Sequence, residues 1–180
     1  MDMKFSNIAL VCTALFAASA AHAEIFTFTG DTTGSPTFNR AFADFSALSG
    51  TGTAAAYDEF VFTVDTAGAY TFLTTGVFDT FTFLYQDAFD PSDATVNGIA
   101  ANDDLLPGFT TSGIAASLTS GTTYILVTTG FGNSDFGAYS TTIGGPGIVT
   151  VVPEPGTYAL MAAGLGVFAW RMRNRQASKV

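Results

Sequence analysis

One cysteine, one histidine, one tryptophan and six basic residues are all that 180 residues hold of those types. Each shortage excludes something. A lone Cys12 makes neither an internal disulfide nor a Cys-based zinc site. Cys12 and His22 both precede the cleavage site argued below, so the mature chain has no thiol and no imidazole. Ser-His-Asp and Cys-His catalysis go with them. Small domains in oxidising compartments usually carry disulfides; this one must hold without any. Trp170 lies near the C-terminus, which weakens a sugar-stacking site in the domain. Between residues 24 and 152, thirteen acids face Arg40 alone, a formal net charge of −12. That surface repels phosphate backbones and anionic lipids, so nucleic acid is excluded as a partner. Cations and neutral sugars remain open.

What is present begins with two signals, one at each end. Lys4 supplies a positive n-region, Ile8 to Ala18 is apolar, and Ala21-His22-Ala23 is a small-x-small site for signal peptidase. The apolar stretch is too short for a comfortable permanent span. Cleavage is expected after Ala23, leaving Glu24 as the mature N-terminus.

At the other end, Pro153-Glu154-Pro155 precedes an apolar run from Tyr158 to Trp170, followed by Arg171, Arg173, Arg175 and Lys179. Thirteen residues make a helix of about 20 Å. A hydrocarbon core is about 30 Å thick, so spanning it needs Gly156, Thr157 and snorkelling arginines. The positive-inside rule puts the basic end in the cytoplasm. Pro153 and Pro155 hold the preceding link extended and open to a protease.

The proline pair flanking Glu154, the short Gly- and Ala-rich apolar run and the arginine cluster resemble the PEP-CTERM sorting signal. The resemblance covers residues 153 to about 175. It implies a membrane processing enzyme, exosortase, as partner, and a Gram-negative bacterium that makes exopolysaccharide as host. The tail is then a temporary stop-transfer segment in the inner membrane, cut near Pro153-Glu154-Pro155. An ordinary single-pass anchor has the same spanning length, so that reading stays open.

Residues 24–152 are the size of one domain with a real core. Phe60-Val61-Phe62-Thr63-Val64, Tyr70-Thr71-Phe72-Leu73-Thr74 and Phe81-Thr82-Phe83-Leu84-Tyr85 alternate with period two, threonine taking the outer face. Asp65-Thr66-Ala67-Gly68 and Thr75-Gly76 are turn chemistry between them. Ile25 to Thr29, Tyr124 to Thr129, Tyr139 to Ile143 and Ile148 to Val152 are further strand candidates. Helix formers are scarce. Together these predict an all-β, antiparallel, jelly-roll-like β-sandwich with its aromatic faces inward, and its fifteen phenylalanines read as core. The Gly-rich stretch from Leu48 to Ala56 reads as a flexible connection. The domains expected are a signal peptide at 1–23, the sandwich at 24–152, the sorting signal with its helix at 153–175, and a cytoplasmic end at 176–180.

Phe60 to Val64, Asp65 to Phe72, Phe78-Asp79-Thr80-Phe81, Leu84-Tyr85, Asn102-Asp103-Asp104 and Leu118 to Tyr124 run in an order that resembles pre-peptidase C-terminal (PPC-like) domains. The resemblance covers most of residues 25 to 148. Such domains are non-catalytic β-sandwich accessory modules, some of which bind calcium. Asn102-Asp103-Asp104 offers three side-chain oxygens in a loop, the ligands a hard cation wants. The resemblance implies that Asp79 stands near that loop, so one Ca²⁺ on Asp79, Asn102, Asp103 and Asp104 is the candidate site. The competing account is an Asx turn, which the lack of an Asp-x-Asp-x-Asp-Gly spacing favours. Asp87, Asp90 and Asp93 read as a solvated loop. Among thirteen acids some pair always has a hydrolase-like separation, so no enzyme follows.

The expectation is therefore a non-catalytic exported protein, processed by signal peptidase and exosortase. It passes through the inner membrane to the cell surface or medium and associates with exopolysaccharide or biofilm matrix. The alternative is a calcium-assisted carbohydrate-binding module; a subunit assembling edge to edge through exposed strands is a third.

Overall fold

The computed structural model describes residues 23–105 and 108–153, with residues 161, 163–165, 168 and 171 in helix. Among them are ten strands: β1 (Glu24–Asp31), β2 (Thr37–Phe38), β3 (Ala55–Val64), β4 (Gly68–Gly76), β5 (Thr80–Gln86), β6 (Gly98–Asn102), β7 (Thr111–Leu118), β8 (Tyr124–Gly130), β9 (Ala138–Gly145) and β10 (Val149–Val151). They form two antiparallel sheets, one ordered β1-β9-β4-β7 and the other β10-β3-β8-β5-β6, with β2 added on β3. The sandwich expected from the alternating pattern is present. Ala21, Glu154, Pro155, Arg173, Arg175 and most of the 158–170 run lie outside the described residues. No helix among the described residues is long and apolar enough to cross a membrane.

Apolar residues at alternate positions put one face of each strand between the sheets. Phe62, Val64, Tyr70, Phe72, Leu84, Tyr124, Leu126 and Ile143 pack there, all essentially buried. Burying each large apolar side chain stabilises the fold by about 1.5–3 kcal/mol. Two buried hydroxyl pairs cross this interior. Thr74 Oγ1 meets Thr141 Oγ1 at 2.9 Å, and Thr82 Oγ1 meets Ser112 Oγ at 2.7 Å.

That second pair corrects one expectation. Thr82 faces inward and Phe81, Phe83 and Tyr85 face outward, the reverse of the reading above. Their outer face is nonetheless buried, because Phe38, Tyr57, Ala41 and Ala94 pack on it, with Phe45 and Phe89 against them. The 39–54 connection is correspondingly not loose. Ala41 bridges Leu48, Ser49 N–H donates to Arg40 O at 2.7 Å, and Ala54 N–H donates to Asn133 Oδ1 at 2.8 Å. Tyr85 is buried on this face with its hydroxyl donating to Ala94 O at 2.9 Å. The molecule thus has two aromatic layers, one on either face of the larger sheet.

Candidate functional site

Three crossings from one sheet to the other meet at one end of the sandwich. The β4–β5 link carries Asp79 just before Thr80, and the β6–β7 link carries Asp103 and Asp104 just after Asn102. Asn102 pairs with Thr82 across the ladder, which brings the two links side by side. The β8–β9 link adds Phe131 N–H, donating to Asp79 O at 3.0 Å.

Asp79, Asp103 and Asp104 each offer a carboxylate oxygen, and these lie within 4.8 Å of one another. Calcium ligands sit about 2.3–2.6 Å from the ion, so one Ca²⁺ can serve oxygens about this far apart. The Oδ1 atoms of all three are buried and accept no hydrogen bond from any described residue. Turn aspartates that cap amides look different here: Asp90 Oδ1 takes Ser92 N–H at 2.8 Å and Ser92 Oγ at 2.6 Å, and Asp44 and Asp93 do the same for Ser46 and Thr95. Burial pushes the Asp103 carboxyl up to about 6, aided by Asp104 and Asp79 and opposed by Arg40. Burial also raises Asp79, with Asp104 and Asp135 adding repulsion and Arg40 opposing it. A divalent cation would offset that repulsion and the desolvation together.

Of the four residues the sequence nominated, three converge. Asn102 Oδ1 accepts Gly113 N–H at 3.1 Å, tying β6 to β7. Two residues went unnoticed. Arg40, the single base of the domain, is 2% exposed, with Nε donating to Phe131 O at 2.8 Å and Nη1 to Ala41 O at 3.2 Å. Its guanidinium lies 4.6 Å from the Phe81 ring centre and 4.8 Å from that of Phe131, a cation–π sandwich. Burial lowers its proton affinity while Asp103 and Asp79 raise it. An isolated arginine among thirteen acids was the available signal. Asp135 is the second, its Oδ2 accepting Gly132 N–H at 2.8 Å.

A groove of about 770 Å³ lies elsewhere, between β1 and β3, lined by Phe28, Tyr57, Phe60 and Tyr139 with Asp58 and Pro153. Pro153 ends the described stretch just after β10, exposed. Of the other nominated residues, Ala23 and Arg171 are also exposed.

Residues 151–175 match the PEP-CTERM protein-sorting motif. The match begins at the last residue of β10, so the sorting signal starts where the sandwich ends. The motif implies export, processing by exosortase and sorting to the cell envelope. It covers the tail alone, and the PPC-like character of residues 25–148 is not confirmed by it. No curated protein matches the chain. Among solved structures, the chain is similar to PliG, a periplasmic inhibitor of g-type lysozyme from Aeromonas hydrophila, at 12% identity and a TM-score of 0.38, over 72% of this chain and 88% of that one. It is similar to the Yersinia pseudotuberculosis-derived mitogen at 14% identity and 0.36, over 74% and 90%. A cleaved adhesin domain of Lys-gingipain from Porphyromonas gingivalis follows at 12% and 0.35, over 73% and 99%.

Proposed function

We propose that this chain is a non-catalytic component of the extracellular matrix, exported with a cleaved signal peptide. It is held briefly in the inner membrane by its tail, then cut by exosortase and delivered to the surface or medium beside exopolysaccharide. The observation that carries the reading is the sorting motif beginning at the sandwich's last strand. Replacing Pro153, Glu154 and Pro155 together with alanine should leave export intact and stop processing. Normal processing of that variant, read by intact mass, would refute it.

Within this reading the domain binds one Ca²⁺ through Asp79, Asp103 and Asp104. The three buried, unpartnered carboxylate oxygens support this part. Isothermal titration with millimolar calcium tests it directly; no heat, with no change in melting temperature, would refute it.

A second reading, calcium-assisted carbohydrate binding, is favoured by the groove beside β1, where the Phe28 and Phe60 rings stack 4.0 Å apart near Asp58. Retention on polysaccharide beads, lost in Phe60→Ala, would favour it over a purely structural role.

A further inference from the structure

The end of the sandwich that carries the carboxylates also carries exposed apolar side chains. Val77, Phe109, Phe136 and Leu105 are 76%, 69%, 46% and 45% exposed. They come from the three crossings, and backbone hydrogen bonds draw those crossings together. Val77 N–H donates to Ala138 O at 3.1 Å and Thr80 N–H to Phe109 O at 3.0 Å, while Leu105 N–H, donating to Thr111 O at 2.7 Å, closes the β6–β7 link on itself. Apolar side chains scattered singly over a surface need no explanation, whereas a cluster at one tip marks a contact surface.

The direction of the chain indicates what meets this tip. β10 runs antiparallel to β3, from Val149 opposite Val64 to Val151 opposite Phe62, and Val152 N–H donates to Val61 O at 2.9 Å. It therefore leaves the sandwich heading toward Tyr57 and Thr129, which is the end where β4 finishes and β5 and β7 begin. Pro153 follows directly and lines the groove between β1 and β3. Five residue steps separate Pro153 from Tyr158, where the apolar run of the tail starts. Fully extended, they reach about 17 Å. A tail held in a bilayer thus brings the end toward which β10 points near the membrane surface.

We propose that the tip formed by Val77, Leu105, Phe109 and Phe136 docks on the bilayer that holds the tail, seating the sandwich tip-down beside it. The proposal rests on the membrane-held tail argued above. The attraction is apolar, since a domain of net charge −12 gains nothing from anionic headgroups and side chains of this kind settle at the headgroup–acyl boundary. Seating also holds Pro153 close to the membrane face, where an enzyme embedded in the bilayer must reach it.

The test uses the chain with its tail, carrying Cys12→Ser, reconstituted in phosphatidylcholine vesicles. Single cysteines at Val77, Phe109 and, on the opposite end, Ala67 carry a polarity-sensitive fluorophore. Flotation reports whether the tail holds the vesicle, and a quencher placed just below the lipid headgroups reports docking. The expected result is co-flotation, with blue-shifted and quenched emission at positions 77 and 109 and unchanged emission at 67. Co-flotation with all three probes alike would overturn the docking and leave the tail reading standing. Failure to float would overturn both.

Discussion

Replacing Asp103 by asparagine should make the protein more stable without calcium and nearly deaf to it. At pH 7.5 the folded domain must keep Asp103 ionised although burial, Asp104 and Asp79 push its carboxyl from 3.8 up to about 6. At about 1.4 kcal/mol for each tenfold in proton affinity, that difference is about 3 kcal/mol. Solvent still reaches much of the group, and screening cuts the cost to about 1 kcal/mol. Asparagine removes it, so the calcium-free variant should melt about 3–5 °C above the parent for a domain of this size. Calcium acts in the opposite direction. At about 100 times its dissociation constant, an ion bound only by the folded state adds about 2.7 kcal/mol, or about 10 °C. With one of three carboxylates gone, most of that increment should vanish. The assay is thermal unfolding followed by circular dichroism, parent and variant, each in excess chelator and in 10 mM calcium chloride. Equal calcium increments in the two proteins would refute the reasoning, as would a parent that melts at one temperature in both solutions.

In chelator the parent should be more stable at pH 5 than at pH 7.5: the folded-state proton affinity of Asp103 lies above its unfolded value, so this contribution is fully present below about pH 4 and lost as pH rises through about 6. In calcium the order should reverse, because the ion needs ionised carboxylates; melting curves at both pH values check it. Arg40→Leu should destabilise by about 2–4 kcal/mol in urea unfolding, since it strips two hydrogen bonds and leaves Asp79 and Asp103 without their opposing charge. Phe62→Ala should cost about 3–5 kcal/mol by the same assay, because Phe62 is wholly buried between the sheets against Phe72 and Tyr124.

The strands legible in the sequence are those rich in aromatic and β-branched residues: β1, β3, β4, β5, β8, β9 and β10 each overlap a stretch read as strand. β6 (Gly-Ile-Ala-Ala-Asn) and β7 (Thr-Ser-Gly-Ile-Ala-Ala-Ser-Leu) escaped notice because alanine, glycine and serine have little strand preference of their own. Both stand at sheet edges, where neighbours supply the pairing that composition does not. The inverted faces of β5 have another cause. Period two says that Phe81, Phe83 and Tyr85 share a face, but not which face, when both sides are covered. Here the outer side is covered by Phe38 of β2 and by Phe45 and Phe89 from the connections that follow β2 and β5.

The carboxylate site shows the same limit from the functional side. Asp103 and Asp104 stood out as adjacent acids in a loop, yet adjacency alone cannot distinguish a ligand from a turn. What separates them is whether the oxygens are already occupied. Asp44, Asp90 and Asp93 hold local amide and hydroxyl donors, whereas the buried Oδ1 atoms of Asp79, Asp103 and Asp104 take none from any described residue. That arrangement requires strands β5 and β6 in register, through pairs 13 to 20 positions apart, and a crossing from β8 behind them, through Phe131 and Asp79, 52 positions apart. The hydrogen bond that engages Asn102 is equally invisible in one dimension, since only the approach of β7 supplies the Gly113 amide. A domain without cysteine has no covalent bond across its sheet crossings. An ion held at the meeting point of those crossings would constrain the same elements that a disulfide would.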